Sequence, residues 1–311
     1  MDSHNSFAAR PPTHLMPNLM TLNDGESPPL STYDGCEIVL ITKHAKADAI
    51  APPFRDRLGA RIRELALDTD VLGTFSGEVE REGTAFDCAR RKCEWSLNEL
   101  GCDYGLASEG SFGPHPTAPF LSCDLEILYF IDRRRDLHLS VSHLSPKTNY
   151  RMQALDSLDL LREFAEKTMF PAHALIVRPN HGDHPSLIFK GINSHESLKD
   201  AFQQSLKHST DGKVWVETDM RAHMNPSRMA VIGEVAEKLA RQLAANCPRC
   251  QSPGWGVVRV AKGLQCDLCG MPTEWVKGEI FGCAKCRFEE IAGRSDGLKS
   301  VEPRNCSNCN P

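Results

Sequence analysis

The chain has 311 residues, with 36 Lys and Arg against 41 Asp and Glu and a formal net charge of −5. That balance excludes a basic nucleic-acid coat protein and a polyacidic tail protein, and a hydrophobic content of 41% excludes wholesale disorder. The longest strongly apolar run, around Leu125–Ile131, falls far short of the roughly 20 residues that span a bilayer.

No basic region followed by an apolar stretch opens the sequence, so a soluble, cytoplasmic protein of two domains is expected, with no membrane partner. Residues 1–35 hold five prolines and no periodicity, which predicts a mobile tail. An α/β domain is expected over 36–245 and a small module over 246–311. Glu37–Thr42 (EIVLIT) reads as the first buried strand. A helical stretch follows Ala45 and is expected to break near Pro52–Pro53. Ala60–Leu67 fits either a strand or an amphipathic helix. Gly83–Leu100 predicts a helix with Thr84 near its N-cap and Ala85, Cys88, Ala89, Trp95 and Leu97 on one side.

Tyr104–Ala107 reads as a brief strand running into a Ser/Gly/Pro loop, Ser108–Pro116. Asp124–Asp132 and Leu137–Leu144 flank the charged turn Arg133–Asp136 and predict a hairpin. A helix over Asp156–Lys167, a strand over Ala174–Arg178, a helix over Ser194–Lys207 and a strand over Lys213–Glu217 follow. Pro226 suits the first position of a long helix running to Ala245, with Asn225 as its N-cap. Met229, Ile232, Val235, Ala236, Leu239 and Leu243 form that helix's apolar stripe. Strands alternating with helices predict a three-layer α/β domain around one mixed sheet.

Cysteine usage is abnormal. Eight of the 13 cysteines form four C-x-x-C pairs: Cys247/Cys250, Cys266/Cys269, Cys283/Cys286 and Cys306/Cys309. A two-residue spacer aims both sulfurs of a pair at one ion, and two pairs complete a closed tetrahedral S4 site that suits zinc. Two structural zinc ions in a tandem zinc-ribbon module are expected, with no open coordination position for catalysis. Sequential pairing is the simplest; interleaved and nested pairings remain open. The segments GWGVVRVAKGL and PTEWVKGEIFG between pairs read as hairpins, packed by Trp255, Trp275 and Phe281. From Arg241 onward ten basic residues face seven acidic ones, and each S4 site adds about −2. The module is then close to neutral, which gives nucleic-acid binding little electrostatic support.

Polar residues gather where the expected strands end, the usual ligand position in open α/β sheets. Thr42 to Lys46 follows the first strand. The helix from Thr84 carries Asp87 and Lys92. Glu109 and Ser111 lie in the Ser/Gly loop, where small residues allow close approach to a ligand. Asp219 and Arg221, with His223, form a group of mixed charge, and Ser227-Arg228 opens the last helix. Basic groups at helix starts with isolated carboxylates suit a phosphate ester with Mg²⁺. Cys88, Cys93, Cys102 and Cys123 read as small apolar packing residues.

From about Ile38 the chain resembles a bacterial domain-of-unknown-function family, through TKHAK, IAPPF, GTFSGE, ASEGSFGPHP, ETDMRAHMNPSRM and CSNCNP. That resemblance carries no activity. The α/β part also resembles the inosine/xanthosine triphosphate pyrophosphatases, the ITPase/Maf-like fold. Those enzymes open with a strand and a Thr-x-Asn…Lys turn that holds triphosphate; Thr42 and Lys46 match it, with Lys43 at the Asn position. Their Thr-Phe-x-Glu-Asn-Ala-x-x-Lys helix is matched by TAFDCARRK, which keeps Thr84, Asp87, Ala89 and Lys92 and has Cys88 in place of Asn. Glu109 stands where their metal-binding acid follows a short strand, and Ser227-Arg228 matches the pair that opens their final helix.

The resemblance implies a Mg²⁺-dependent hydrolase or binder of a nucleotide or related phosphate ester. Glu109 and Asp87 would serve catalysis by holding Mg²⁺, which orients the attacking water, and Thr42, Lys46, Lys92, Ser111, Asp219, Arg221, Ser227 and Arg228 would bind substrate. The alternative is a non-catalytic nucleotide sensor or adaptor whose zinc ribbons dock a protein or nucleic acid.

Overall fold

The apolar run of the first strand, β1 (Glu37–Ile41), is buried at four of its five positions. The computed structural model describes residues 31–42, 45–65, 83–182 and 185–311, and these fall into two units, Ser31–Ala244 and Ala245–Pro311. The fold is mixed α/β with several sheets. Among the described residues no helix is long and apolar enough to cross a membrane.

In the first unit β1 is followed by α1 (Ala47–Leu58), β2 (Arg61–Leu65), α2 (Ala85–Leu100), β3 (Tyr104–His115), β4 (Ala118–Asp132) and β5 (Leu137–Ser145). The strands lie in the order β2-β1-β3-β4-β5. β1 runs parallel to β2 and β3, while β3, β4 and β5 form an antiparallel meander. Side chains alternate across a sheet, so successive residues of β3 and β4 serve different helices. Leu106, Leu128 and Phe130 pack with α1 and with the long helix at residues 226–244. Ala107, Tyr129 and Ile131 pack with Ala89, Cys93 and Leu97 of α2.

Two expectations for the helices need correction. Pro52 and Pro53 lie inside α1 and do not end it. Ile50, Phe54 and Leu58, spaced four apart, are fully buried, and that burial offsets the hydrogen bonds the prolines remove. In α2, Thr84 forms a capping box with Asp87, but Trp95 is exposed. The buried face of α2 is Cys88, Ala89, Cys93, Ser96 and Leu97, and Trp95 sits two residues, over half a turn, away from Cys93 and Leu97.

The one mixed sheet expected for the whole domain is two sheets. A second, antiparallel sheet has the order β6-β9-β7-β8. It comprises β6 (Met152–Leu155), β7 (Leu175–Pro179), β8 (Phe189–Ile192) and β9 (Val214–Thr218). Helices α3 (Leu158–Lys167) and α4 (His195–His208) pack on it through Leu161, Phe164, Leu198 and Phe202. β6 and β8 are four-residue strands with little alternation, and they are the two the sequence left unmarked. Helix α5 (Pro226–Ala244) returns to the first sheet and buries Ile232, Val235, Ala236, Leu239 and Leu243. Asn225 caps it by accepting from the Arg228 N–H at 3.0 Å.

The second unit holds β10 (Gly256–Lys262), β11 (Gln265–Cys266), β12 (Val276–Gly282), β13 (Glu289–Gly293) and β14 (Ser300–Val301). The two expected hairpins are single strands: β10 and β12 pair with each other, and β13 completes an antiparallel sheet. β11 and β14 form a parallel pair. Trp255 stacks on Phe288 with centroids 5.6 Å apart and leans on Phe281, whereas Trp275 is exposed.

Of the expected tail, residues 1–30 lie outside the described residues, as does the GTFSGE segment. Residues 31–35 belong to the first unit. Tyr33 is fully buried between Tyr104 and Phe130, edge-on to both rings, and donates to Asp132 at 3.2 Å. Tyr33→Ala is expected to cost about 3–5 kcal/mol, read as a lowered denaturant midpoint.

Candidate functional site

The ASEGSFGPHP segment is a strand. β4 runs on to Ala118 and pairs with β3 through His115, so Glu109 sits in mid-strand opposite Ile127 and not in a loop beyond a strand end. The small residues have a packing reason. A Cβ on Gly110 would come within 2.4 Å of both the Arg228 guanidinium and the Glu126 carboxylate.

Four of the residues expected in the site meet around this strand. Lys46, at the start of α1, is 5% exposed and its Nζ donates to the Ser108 carbonyl at 3.2 Å and to Ser108 Oγ at 3.1 Å. Lys92 reaches from α2 and forms an ion pair with Glu109. Arg228 reaches from α5, donates through Nε to Glu126 Oε1 at 2.6 Å and also donates to the Met220 carbonyl. Its guanidinium lies over the Phe112 ring at 5.1 Å, and Phe112 stacks on Tyr150. Burial, with the Arg228 charge beside it, pushes the Lys46 amine down to about 8 against the pull of Glu126 and Glu109.

Two members of the cluster went unmarked in the sequence reading. Asp124 and Glu126 share the face of β4 that carries Leu128 and Phe130 into the core, and they are 0% and 1% exposed. Burial and the Glu126 carboxylate push the Asp124 carboxyl up to about 8. Both Asp124 oxygens and Glu126 Oε2 are buried and accept no hydrogen bond among the described residues. The signal was in the pattern: in CDLEILYF, acids take the alternate positions that an amphipathic strand reserves for apolar side chains.

The other expected residues are placed apart from this cluster or tied into local structure. Asp87 is the N3 carboxylate of the α2 capping box, accepting from the Thr84 N–H at 3.0 Å. Those bonds from the Thr84 hydroxyl and backbone hold its carboxyl below the usual range. Thr42 is buried just past β1, where its N–H donates to the Leu65 carbonyl; Lys43 and His44 lie outside the described residues. Ser111 is half-buried on the Glu109 face of β3. Asp219 is fully buried and closes on Arg221, accepting from its Nε at 3.0 Å and its Nη2 at 2.6 Å, and from the Gly191 N–H at 3.0 Å. Ser227 pairs with His173 Nε2 at 2.9 Å.

The cysteines form two tetrads. Cys247, Cys250, Cys283 and Cys286 make one and Cys266, Cys269, Cys306 and Cys309 the other, with all sulfurs of a tetrad within 4.8 Å of one another. The pairing is therefore interleaved. The antiparallel register explains it, because Gly256 of β10 faces Gly282 of β12, which sets Cys250 beside Cys283. Sequential pairing would need the two ends of β10, about 20 Å apart, at one ion. Sulfur separations of 3.6 and 3.7 Å in the first tetrad, and 3.7 and 3.9 Å in the second, are too long for disulfides. They match the edge of about 3.8 Å expected of a tetrahedron with Zn–S bonds near 2.3 Å. Both tetrads could hold metal ions.

A family model described as Domain of unknown function (DUF6671) matches residues 92–311. The chain belongs to this family. The DUF6671 match opens on Lys92, spans Glu109, Asp124, Glu126, Arg228 and both cysteine tetrads, and leaves Thr42, Lys46 and Asp87 before it. No curated protein and no solved structure matches the chain, so no ITPase-like relative is shown.

Interleaving has a direct test in metal content. The Cys250→Ser/Cys283→Ser double variant should keep one bound ion per chain, and Cys250→Ser/Cys269→Ser should keep none, by elemental analysis under reducing conditions. Gly110→Ala is expected to cost about 3 kcal/mol or more, because displacing Arg228 leaves Glu126 buried without its partner; the denaturant midpoint reads this.

Proposed function

We propose that the Ser31–Ala244 unit binds a nucleotide or related phosphate ester together with Mg²⁺ and hydrolyses it, and that the cysteine tetrads hold two structural zinc ions as a pair of interleaved zinc ribbons. The observation that carries the first part is the meeting of Lys46, Lys92 and Arg228, from three helices, on one strand pair that also carries Glu109 and Glu126. Three cations fixed in a low-dielectric setting offset the charge of a phosphate chain far better than they would in water. The mixed five-stranded sheet with helices on both faces supports an ITPase/Maf-like layering. In the reaction a water attacks phosphorus and the bond to the leaving phosphate oxygen breaks. Glu109, released by Lys92 as that amine turns to the ligand, accepts the water's proton. For the tetrads, a donor set of four sulfurs favours zinc over hard cations.

One observation favours a second reading, a nucleotide sensor or adaptor without turnover. Lys92 and Glu109 have side chains only 11% and 8% exposed, and Arg228 and Glu126 only 4% and 1%. A closed cluster suits a ligand that is held more than one that is processed. The zinc ribbons would then dock a protein or a nucleic acid.

A panel of nucleoside triphosphates with Mg²⁺, titrated into the full chain and followed by calorimetry and phosphate release, separates the readings. Binding with release supports the hydrolase, and binding without release supports the sensor. No binding by any member overturns both. Glu109→Gln should abolish release and cost about 1–3 kcal/mol of stability, because it leaves the largely buried Lys92 opposite a neutral amide.

A further inference from the structure

Carboxylates are seldom buried without donors, because each unmet oxygen forfeits solvation worth kilocalories. Asp124 and Glu126 are both more than nine-tenths buried, and three of their four oxygens accept no hydrogen bond among the described residues. The two lie two residues apart on one strand face, and their carboxyl groups are within hydrogen-bonding reach of each other. Arg228 Nε donates to Glu126 Oε1, and Glu126 Oε2 has no hydrogen-bond partner among the described residues. Glu109, the acid expected to bind metal, is on the opposite face of the sheet pair and already holds Lys92.

We propose that Asp124 and Glu126 together form a Mg²⁺- or Mn²⁺-type cation site on the α5 side of β4, distinct from Glu109. The donors are all carboxylate oxygens, which selects a hard cation over zinc. Three protein oxygens are too few for Ca²⁺, which takes six to eight, and suit Mg²⁺, which keeps waters and fills its octahedron with one or two carboxylates and a phosphate. Charge supports the last partner. On this face Lys46 and Arg228 balance Asp124 and Glu126 once a metal has ionised both carboxyls, so a divalent ion leaves a surplus of about +2, which an anionic ester would offset. That second ligand rests on the phosphate-ester reading; the cation site does not.

Mn²⁺ alone, added to the zinc-loaded full chain and followed by electron paramagnetic resonance, is the probe. One Mn²⁺ per chain, displaced by Mg²⁺, is expected. Asp124→Asn should weaken it by more than about 100-fold, beyond the loss of an outer-shell partner, while Glu109→Gln should change it by no more than about threefold. Should Asp124→Asn fail to fold, Glu126→Gln is read in the same way. No Mn²⁺ bound to wild type at millimolar concentration overturns the site, as does equal affinity in the Asp124 and Glu126 variants. A chain that binds Mn²⁺ but no triphosphate upholds this site and overturns the phosphate-ester reading. One that binds triphosphate but no Mn²⁺ does the reverse.

Discussion

The ion pair between Arg228 and Glu126 fixes the polar half of the first unit. It joins α5 to the middle of the sheet with both partners almost fully buried. Such a pair is costly to bury and costlier to break, so its surroundings are built to satisfy it. Gly110 leaves room for it, Phe112 offers a ring face to the guanidinium, and the Met220 carbonyl takes another N–H. Ser108, one pleat away on β3, accepts from Lys46. Ser108–His115, read alone as part of a loop, thus continues a strand whose small members make way for charges contributed by β4 and α5.

What the sequence made legible was local. Thr84, Ser194 and Asn225 are the caps their residue types suggest, because a cap is decided within four residues. The four C-x-x-C pairs and the apolar stripe of α5 were readable for the same reason. What escaped was decided at long range. The length of β3 depends on β4. The split into two sheets depends on β6 finding β9 from sixty residues away. Asp124 and Glu126 alternate with apolar residues in CDLEILYF, but that their side faces the core depends on the packing of β4 under α5.

The departures from local expectation share a cause. Pro52 and Pro53 are tolerated in α1 because Ile50, Phe54 and Leu58 are buried against α5. Tyr33 is held by an aromatic pocket assembled from β3 and β4. In each case tertiary burial outweighs a local preference worth a few kilocalories. The polar cluster reverses this: burial there works against the charges, and it persists because Lys92 and Arg228 arrive opposite Glu109 and Glu126.

The interleaving of the cysteine tetrads bears on how the Ala245–Pro311 unit can be divided. The stretch from Cys247 to Cys286 that completes one tetrad contains Cys266 and Cys269 of the other, and the stretch from Cys266 to Cys309 contains Cys283 and Cys286. No cut of the chain yields one whole tetrad without stranding half of the other's cysteines. Two tetrads in a row could be excised or grafted singly. These two can be excised or grafted intact only as one piece.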